Sequence, residues 1–172
     1  MTASSTITLD GDLMADARAL RDAFGCFATG VTVVTTCGPD GRYAGFTVNA
    51  FSSVSLDPPL ALVCVGNTAS SLPVLNQAGK FAVNVLHSDQ EDMARRFTVK
   101  TEDRFAGLDC ELWDQGVPIL PGCMANFELE THQAIDAGDH RIFIGRILKV
   151  RFDPDHEPLV YLRGRFTRVH TD

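Results

Sequence analysis

The chain has 172 residues, of which 45% are hydrophobic and 22% charged, enough for one domain with its own core. Its net charge of −7 argues against nucleic acid and anionic membranes as partners, because both are usually bound by basic patches. The longest apolar runs are far shorter than the roughly twenty residues of a membrane helix, and no basic region precedes an apolar core at the N-terminus. We therefore expect a soluble, cytoplasmic protein.

The cysteines and histidines carry no metal or disulfide signature. The five cysteines are an odd number without a CxxC pair, which fits neither a zinc ribbon nor a disulfide framework. Several lie in apolar stretches, where a free thiol packs like a small hydrophobic group. The five histidines are scattered and form no HExxH pattern, so we predict no metal site.

The first elements are a helix and a hairpin. Apolar residues recur every three or four positions from Leu13 to Phe27, which predicts a helix with one face packed on the body. The β-branched run Val31–Thr36 and the segment 43–49 are joined by Gly38-Pro39-Asp40-Gly41, which predicts a hairpin. The continuous apolar run 60–65 predicts a strand covered on both faces and central in a sheet.

Two short helices follow, with a strand at 81–86 between them. Ser70 or Ser71 is a candidate cap for a helix over 72–77, which ends before Gly79. Ser88 and Glu91 have the spacing of a capping box for a second helix, which runs through Phe97.

Strands dominate the rest of the chain. Segment 105–121 is irregular, whereas 125–130 alternates apolar and polar residues as a half-exposed strand does. Further strands are predicted at 142–152 and 159–168. Many strands with few, short helices favour a closed or nearly closed antiparallel barrel.

Two motifs carry candidate chemistry. Residues 45–59 are rich in hydroxyl and amide groups and close on Asp-Pro-Pro; backbone N–H groups and short hydroxyls of this kind can hold a phosphate-bearing ligand. Taken alone, the segment also fits a surface loop. The second motif is Gly138-Asp139-His140, in which a lone histidine is equally compatible with a turn residue bonded to its own backbone.

Together with the segments 29–35 and 81–86, these motifs resemble the flavin reductase domain of short-chain NAD(P)H:flavin oxidoreductases, the reductase components of two-component flavin-dependent monooxygenases. The resemblance covers 22–169, leaving 1–21 as an N-terminal segment with the start of the first helix. It implies a mainly β fold, the FMN-binding split barrel, an antiparallel Greek-key-like barrel with a few short helices. It also implies hydride transfer from NADH or NADPH to FMN or FAD, a homodimer, and a separate oxygenase that receives the reduced flavin.

The resemblance also assigns residues. It places His140 on the nicotinamide side, in contact with the carboxamide or the flavin face. Asp139 then organises the turn or orients His140. This chain departs from the family pattern in two places. Segment 67–71 lacks a lysine that the family often has, so Arg95 or Arg96 would neutralise the flavin phosphate instead. Phe166 stands where the family usually has a tyrosine. The residues implied to surround the flavin are Thr32, Phe46, Thr47, Val48, Asn49, Ser52, Ser53, Asn67, Ser70, Ala82, Asn84, Arg95 and Phe166.

Two other functions remain open at this level. One is a flavoprotein oxidase of the pyridoxamine-phosphate-oxidase type, which would retain its FMN and consume no NADH rapidly. The other is a non-catalytic flavin-binding protein, which the lack of a distinctive acid–base constellation would suit. The rate of flavin bleaching on mixing with NADH separates all three.

Overall fold

The computed structural model describes residues 6–11, 13, 15–100 and 103–169. Residues 1–5, Asp12 and Met14 of the predicted N-terminal segment lie outside the described residues. The elements, in chain order, are α1 (Ala17–Phe24), β1 (Thr29–Gly30), β2 (Thr32–Cys37), β3 (Tyr43–Val48), β4 (Phe51–Leu56), β5 (Pro59–Gly66), α2 (Leu72–Ala78), β6 (Lys80–Val85), α3 (Glu91–Arg96), β7 (Glu111–Leu112), β8 (Pro118–Ile119), β9 (Ala125–Ala137), β10 (His140–Phe152), β11 (Leu159–Leu162) and β12 (Arg165–Arg168).

A seven-stranded sheet in the order β3-β2-β6-β9-β10-β5-β4 forms the body. All its strand pairs are antiparallel, so the mainly β, antiparallel prediction is confirmed. The predicted hairpin is β2–β3, and Gly41 closes its turn with φ +77°, a value that favours glycine. Strand β9 extends well beyond the alternating segment 125–130 and forms a long hairpin with β10.

The prediction that the apolar run 60–65 is covered on both faces is wrong for a single chain. This run is β5, which lies next to the edge strand β4, and its burial alternates: Ala61, Val63 and Val65 are buried and their neighbours half-buried. Strands β2 and β6, which lie side by side inside the sheet, are buried on both faces. A short apolar run does not reveal how many layers cover it, because coverage depends on sheet order.

The helix caps differ from the sequence prediction. Ser71 precedes α2, but its hydroxyl donates to the Gly45 carbonyl at 3.1 Å instead of capping the helix. Gly79 ends α2 with φ +66°, as expected. Helix α3 begins after Gln90, without a side-chain cap, so the predicted capping box of Ser88 is not formed.

Helix α1 packs only loosely on the described part of its own chain, where Ala19 and Leu20 are half-buried. None of its residues is buried, and the rings of Phe24 and Phe27 are 70% and 77% exposed. Within one protomer the apolar face of α1 is therefore only partly covered, in contrast to the predicted packing.

A small sheet of β1, β11 and β12 adjoins the main sheet. Three backbone hydrogen bonds connect the two sheets. The N–H of Val31 donates to the Leu159 carbonyl, the N–H of Leu159 donates to the Leu86 carbonyl, and the N–H of Leu86 donates to the Val31 carbonyl. These bonds of 3.0–3.1 Å bring the β11–β12 turn close to β2 and α3. Within the described ranges, no helix is long and apolar enough to cross a membrane.

Candidate functional site

A cavity of about 720 Å³ opens between β3, the end of β5, α3 and the β11–β12 turn. Its apolar wall includes Phe46, Val48, Tyr161 and Phe166, and His140 lies on its lining. Thus the cavity brings together eight of the sequence-predicted site residues, from five separate parts of the chain. They are Phe46, Thr47, Val48, Asn49, Ser70, Arg95, His140 and Phe166.

The Gly138-Asp139-His140 motif is the tip of the β9–β10 hairpin, and the end of β5 holds it in place. His140 pairs in register with Gly66. The next residue, Asn67, donates its backbone N–H to the Asp139 carbonyl at 2.9 Å and its side-chain amide to the Gly138 carbonyl at 3.3 Å. Asn67 therefore anchors the hairpin that carries His140, although it does not line the cavity itself.

Asp139 orients the imidazole. Its carboxylate lies 2.7 Å from His140 Nδ1, and this hydrogen bond holds the pKa of Asp139 below its ordinary value. An ionised carboxylate only accepts, so Nδ1 is the donor and the ring is fixed with Nε2 on the side of Gly66. The orientation leaves Nε2 to interact with a ligand in the cavity.

Polar groups of β3 mostly stabilise the cavity wall. The Thr47 hydroxyl donates to the Ala94 carbonyl at 2.6 Å, and its N–H to the Phe97 carbonyl at 3.3 Å. Thr32 donates to the Val48 carbonyl at 2.8 Å. The hydroxyl and the backbone N–H of Thr47 are therefore both bonded within the protein.

Four cations line the cavity: Arg95, Lys100, Arg104 and Arg165. No carboxylate is found among the described lining residues, so the cavity is locally positive although the chain carries −7. Arg95 pairs with Glu91 at 2.5 Å and lies over the Phe166 ring, 5.2 Å from its centroid. This donor set suits a ligand phosphate.

Arg96, the alternative to Arg95, is used structurally. Its guanidinium donates to the carbonyls of Arg104 and Ala106 and so braces the loop after α3. Sequence reasoning did not assign Lys100, Arg104 or Arg165 to the site: the first two lie in a loop without a recognisable motif, and only Phe166 was assigned from the familial tail 161–166. For Lys100 and Arg104 the only available signal was their basic character in an acidic chain.

Besides Asn67, five predicted residues do not line the cavity of the described chain. Asn84 is fully buried, donates to the Val33 carbonyl at 3.0 Å and accepts the Leu120 N–H at 3.0 Å. Ala82 packs with Trp113 in a separate core cluster. Ser52 and Ser53 are exposed on the edge strand β4, and Thr32 is buried on β2, beside β3. Their assignment as flavin contacts stays a prediction.

The lining as a whole fits a flavin. Aromatic and aliphatic side chains suit a flat ring system, and the guanidinium and ammonium groups suit its phosphate. Cys64 also lines the cavity, where burial raises the pKa of its thiol and so keeps it protonated at neutral pH.

Comparison with known proteins identifies the family. The model of the flavin reductase like domain matches residues 24–170, so the chain belongs to this family and the predicted resemblance is confirmed. The chain is 44% identical over 153 residues to an FMN reductase (NADH) of Agrobacterium fabrum, which covers 89% of this chain and 86% of that protein. It is 48% identical over 132 residues, 77% of this chain, to the stachydrine N-demethylase reductase subunit of Rhizobium meliloti.

Among solved structures, an NADH:FAD oxidoreductase of Streptomyces globisporus in complex with NAD and FAD fragments has a TM-score of 0.89 at 39% identity. The match covers 97% of this chain and 99% of that one, and the split-barrel prediction is confirmed. The chain spans about half the length, 42% and 57%, of two Rhizobium meliloti relatives that it matches.

Proposed function

We propose that this chain is an NAD(P)H-dependent flavin reductase, which transfers a hydride from NADH or NADPH to FMN or FAD. The observation that carries the proposal is the cavity itself, which combines an apolar wall, four cations and an oriented histidine. The names of the relatives support it, since one is an FMN reductase (NADH) and another an NADH:FAD oxidoreductase.

The chain's own residues have binding and positioning roles in this proposal. The two cofactors supply the hydride chemistry when they are bound. Phe46, Val48 and Phe166 exclude water from the ring system, and Arg95 and Lys100 bind the flavin phosphate. His140, held by Asp139, offers Nε2 to the nicotinamide carboxamide.

No acid–base pair is obligatory for this reaction. Hydride transfer depends on stacking the two rings within contact distance, so positioning supplies most of the catalysis. The lining therefore needs no general acid, and a site built from apolar walls and cations is sufficient. A flavoprotein oxidase or a passive flavin carrier has no specific observation in its favour.

We also propose a homodimer with two-fold symmetry. Besides Phe24 and Phe27 of the α1 region, Leu56 at the β4 end and Phe152 at the β10 end are 93% and 70% exposed. Burying such side chains against a second copy is favourable, at about 25 cal/mol per Å². Light scattering at micromolar concentration should give twice the chain mass; a stable, fully active monomer would contradict the dimer.

We propose a separate oxygenase as the acceptor of reduced flavin, and the cytoplasm as the location. The reductase-subunit name of one Rhizobium meliloti relative supports the first. All five cysteines are free, which suits a reducing compartment. Copurification of a tagged chain with an oxygenase, or transfer of reduced flavin to it, tests the partner; fractionation that places the chain outside the cytoplasm would contradict the location.

The decisive experiment is stopped-flow mixing of the flavin-loaded protein with NADH and with NADPH under anaerobic conditions. Rapid bleaching of flavin absorbance supports the reductase. Tight flavin retention with slow or no bleaching by either nicotinamide would refute it and favour the oxidase or the carrier.

A further inference from the structure

A second cavity, of about 370 Å³, adjoins the first. The two share Ser70, Ser71 and Arg104, which therefore form a junction between them. Beyond the junction, the second cavity is lined by Arg42, Tyr43, Asp103 and Phe105, among others. The proposed reductase reaction assigns no role to this space.

We propose that the second cavity binds the adenylate half of FAD, so that the chain discriminates in favour of FAD over FMN. This rests on the proposed function, because it requires the flavin ring in the first cavity. FMN ends at its phosphate, whereas FAD continues through a second phosphate to adenosine. Only FAD has the length to occupy both cavities across the junction.

The junction has the chemistry of a pyrophosphate site. Arg104 is fixed by hydrogen bonds from Nε to the Val99 carbonyl at 2.8 Å and from Nη1 to the Gly45 carbonyl at 2.5 Å. Nη1 also approaches the Ser71 hydroxyl at 3.4 Å. Its Nη2 group takes no part in the hydrogen bonds of the described residues. A pre-oriented guanidinium with one remaining edge suits phosphate oxygens, and Ser70 is exposed beside it.

An aromatic row connects the two cavities. Phe97 lines the first cavity, and its ring lies edge-on to Phe105, at 5.2 Å between centroids. Phe105 in turn contacts Tyr43 at 5.5 Å, and both line the second cavity. Tyr43 is 39% exposed, so its ring offers a surface on which a purine base can stack.

The charges of the second cavity also suit an adenylate. Among the described residues that line it, Arg42 and Arg104 are the cations and Asp103 is the one carboxylate. The Asp103 carboxylate accepts the Phe105 N–H at 2.9 Å, which fixes it in a local turn. The described lining therefore carries a net positive charge, which favours a phosphate.

Calorimetric titration of the full chain with FAD and with FMN, without any nicotinamide, tests the proposal. FAD should bind at least about tenfold more tightly. Tyr43→Ala should weaken FAD binding about tenfold through lost stacking and leave FMN binding within about twofold, while Tyr43→Phe should keep the wild-type preference. Arg42→Ala should also weaken FAD binding alone. Arg146→Ala, at an exposed arginine paired with Glu130, is the matched control and should change neither.

Several results would overturn the proposal. One is equal affinity of the wild type for FAD and FMN. Another is an equal loss of FAD and FMN affinity in Tyr43→Ala, which would show that the substitution perturbs the whole structure and not an adenylate contact. A raised Michaelis constant for NADH in Tyr43→Ala, measured with FMN as acceptor, would assign the cavity to the nicotinamide cofactor's adenylate instead. If the chain prefers FAD in this way but never oxidises NADH, the adenylate subsite stands and the proposed reductase function is refuted. If it oxidises NADH but binds FAD and FMN equally well, the reductase function stands and the subsite is refuted.

Discussion

Gly145→Ala tests why a glycine stands five residues after His140. Either close packing of the core excludes a side chain at this position, or a bound ligand requires the glycine. Gly145 lies in β10, beside a bulge in its pairing with β9. A Cβ there would lie 2.7 Å from Cζ of Phe81 and 2.9 Å from Cβ and Cδ2 of Leu129. Both neighbours are fully buried, so neither can move aside into solvent.

The expected cost follows from this crowding. Carbon atoms in contact normally lie about 3.5–4.0 Å apart, so the neighbours must shift by roughly 1 Å. Overpacking of this kind costs about 1–3 kcal/mol, and the reduced entropy of the unfolded chain offsets about 0.4–1 kcal/mol. We therefore expect a net loss of about 1–2 kcal/mol in the free energy of unfolding.

Urea unfolding, followed by the fluorescence of Trp113, measures this loss. With a slope of about 2 kcal/mol per molar, the midpoint should fall by roughly 0.5–1 M. The matched control is Gly30→Ala on β1, where a Cβ would meet nothing within 4 Å, and the midpoint should change little. An unchanged midpoint in Gly145→Ala, with weakened flavin binding, would refute the packing argument and give Gly145 a ligand role.

Two further predictions concern histidines. His140→Ala should slow hydride transfer, or raise the Michaelis constant for the nicotinamide, in stopped-flow measurements. Flavin affinity, measured by titration, should stay within about tenfold. A collapse of flavin affinity with unchanged nicotinamide kinetics would instead make His140 a flavin-binding residue. The pKa of His87 is lowered by burial and then by His156, whose ring stacks on it at 4.6 Å, while Asp89 opposes the shift. Just below pH 6.5 the unfolded chain therefore binds more protons than the folded chain, so the melting temperature should fall as the pH drops through this range. The fall should be less steep in His87→Gln. Equal slopes in the two proteins would contradict a lowered pKa of His87.

The sequence by itself determined the local elements. The β2–β3 hairpin follows from a β-branched run and a glycine-bounded turn, and α2 follows from Pro73 in its first turn and Gly79 beyond its end. These features depend on the backbone preferences of neighbouring residues, which a short segment already contains. The family motifs also predicted several residues that line the cavity, including His140.

The tertiary structure decided which residues share the cavity. His140 comes to the site because β10 pairs with β5, which places it opposite Gly66, far away in the sequence. Lys100 and Arg104 join it only because the loop after α3 folds back, with Arg104 bonded to the Gly45 carbonyl. Likewise, Asn84 lies in the core instead of the site, because both faces of β6 are covered. Strand order, register and coverage are properties of the whole chain, so no local pattern contains them.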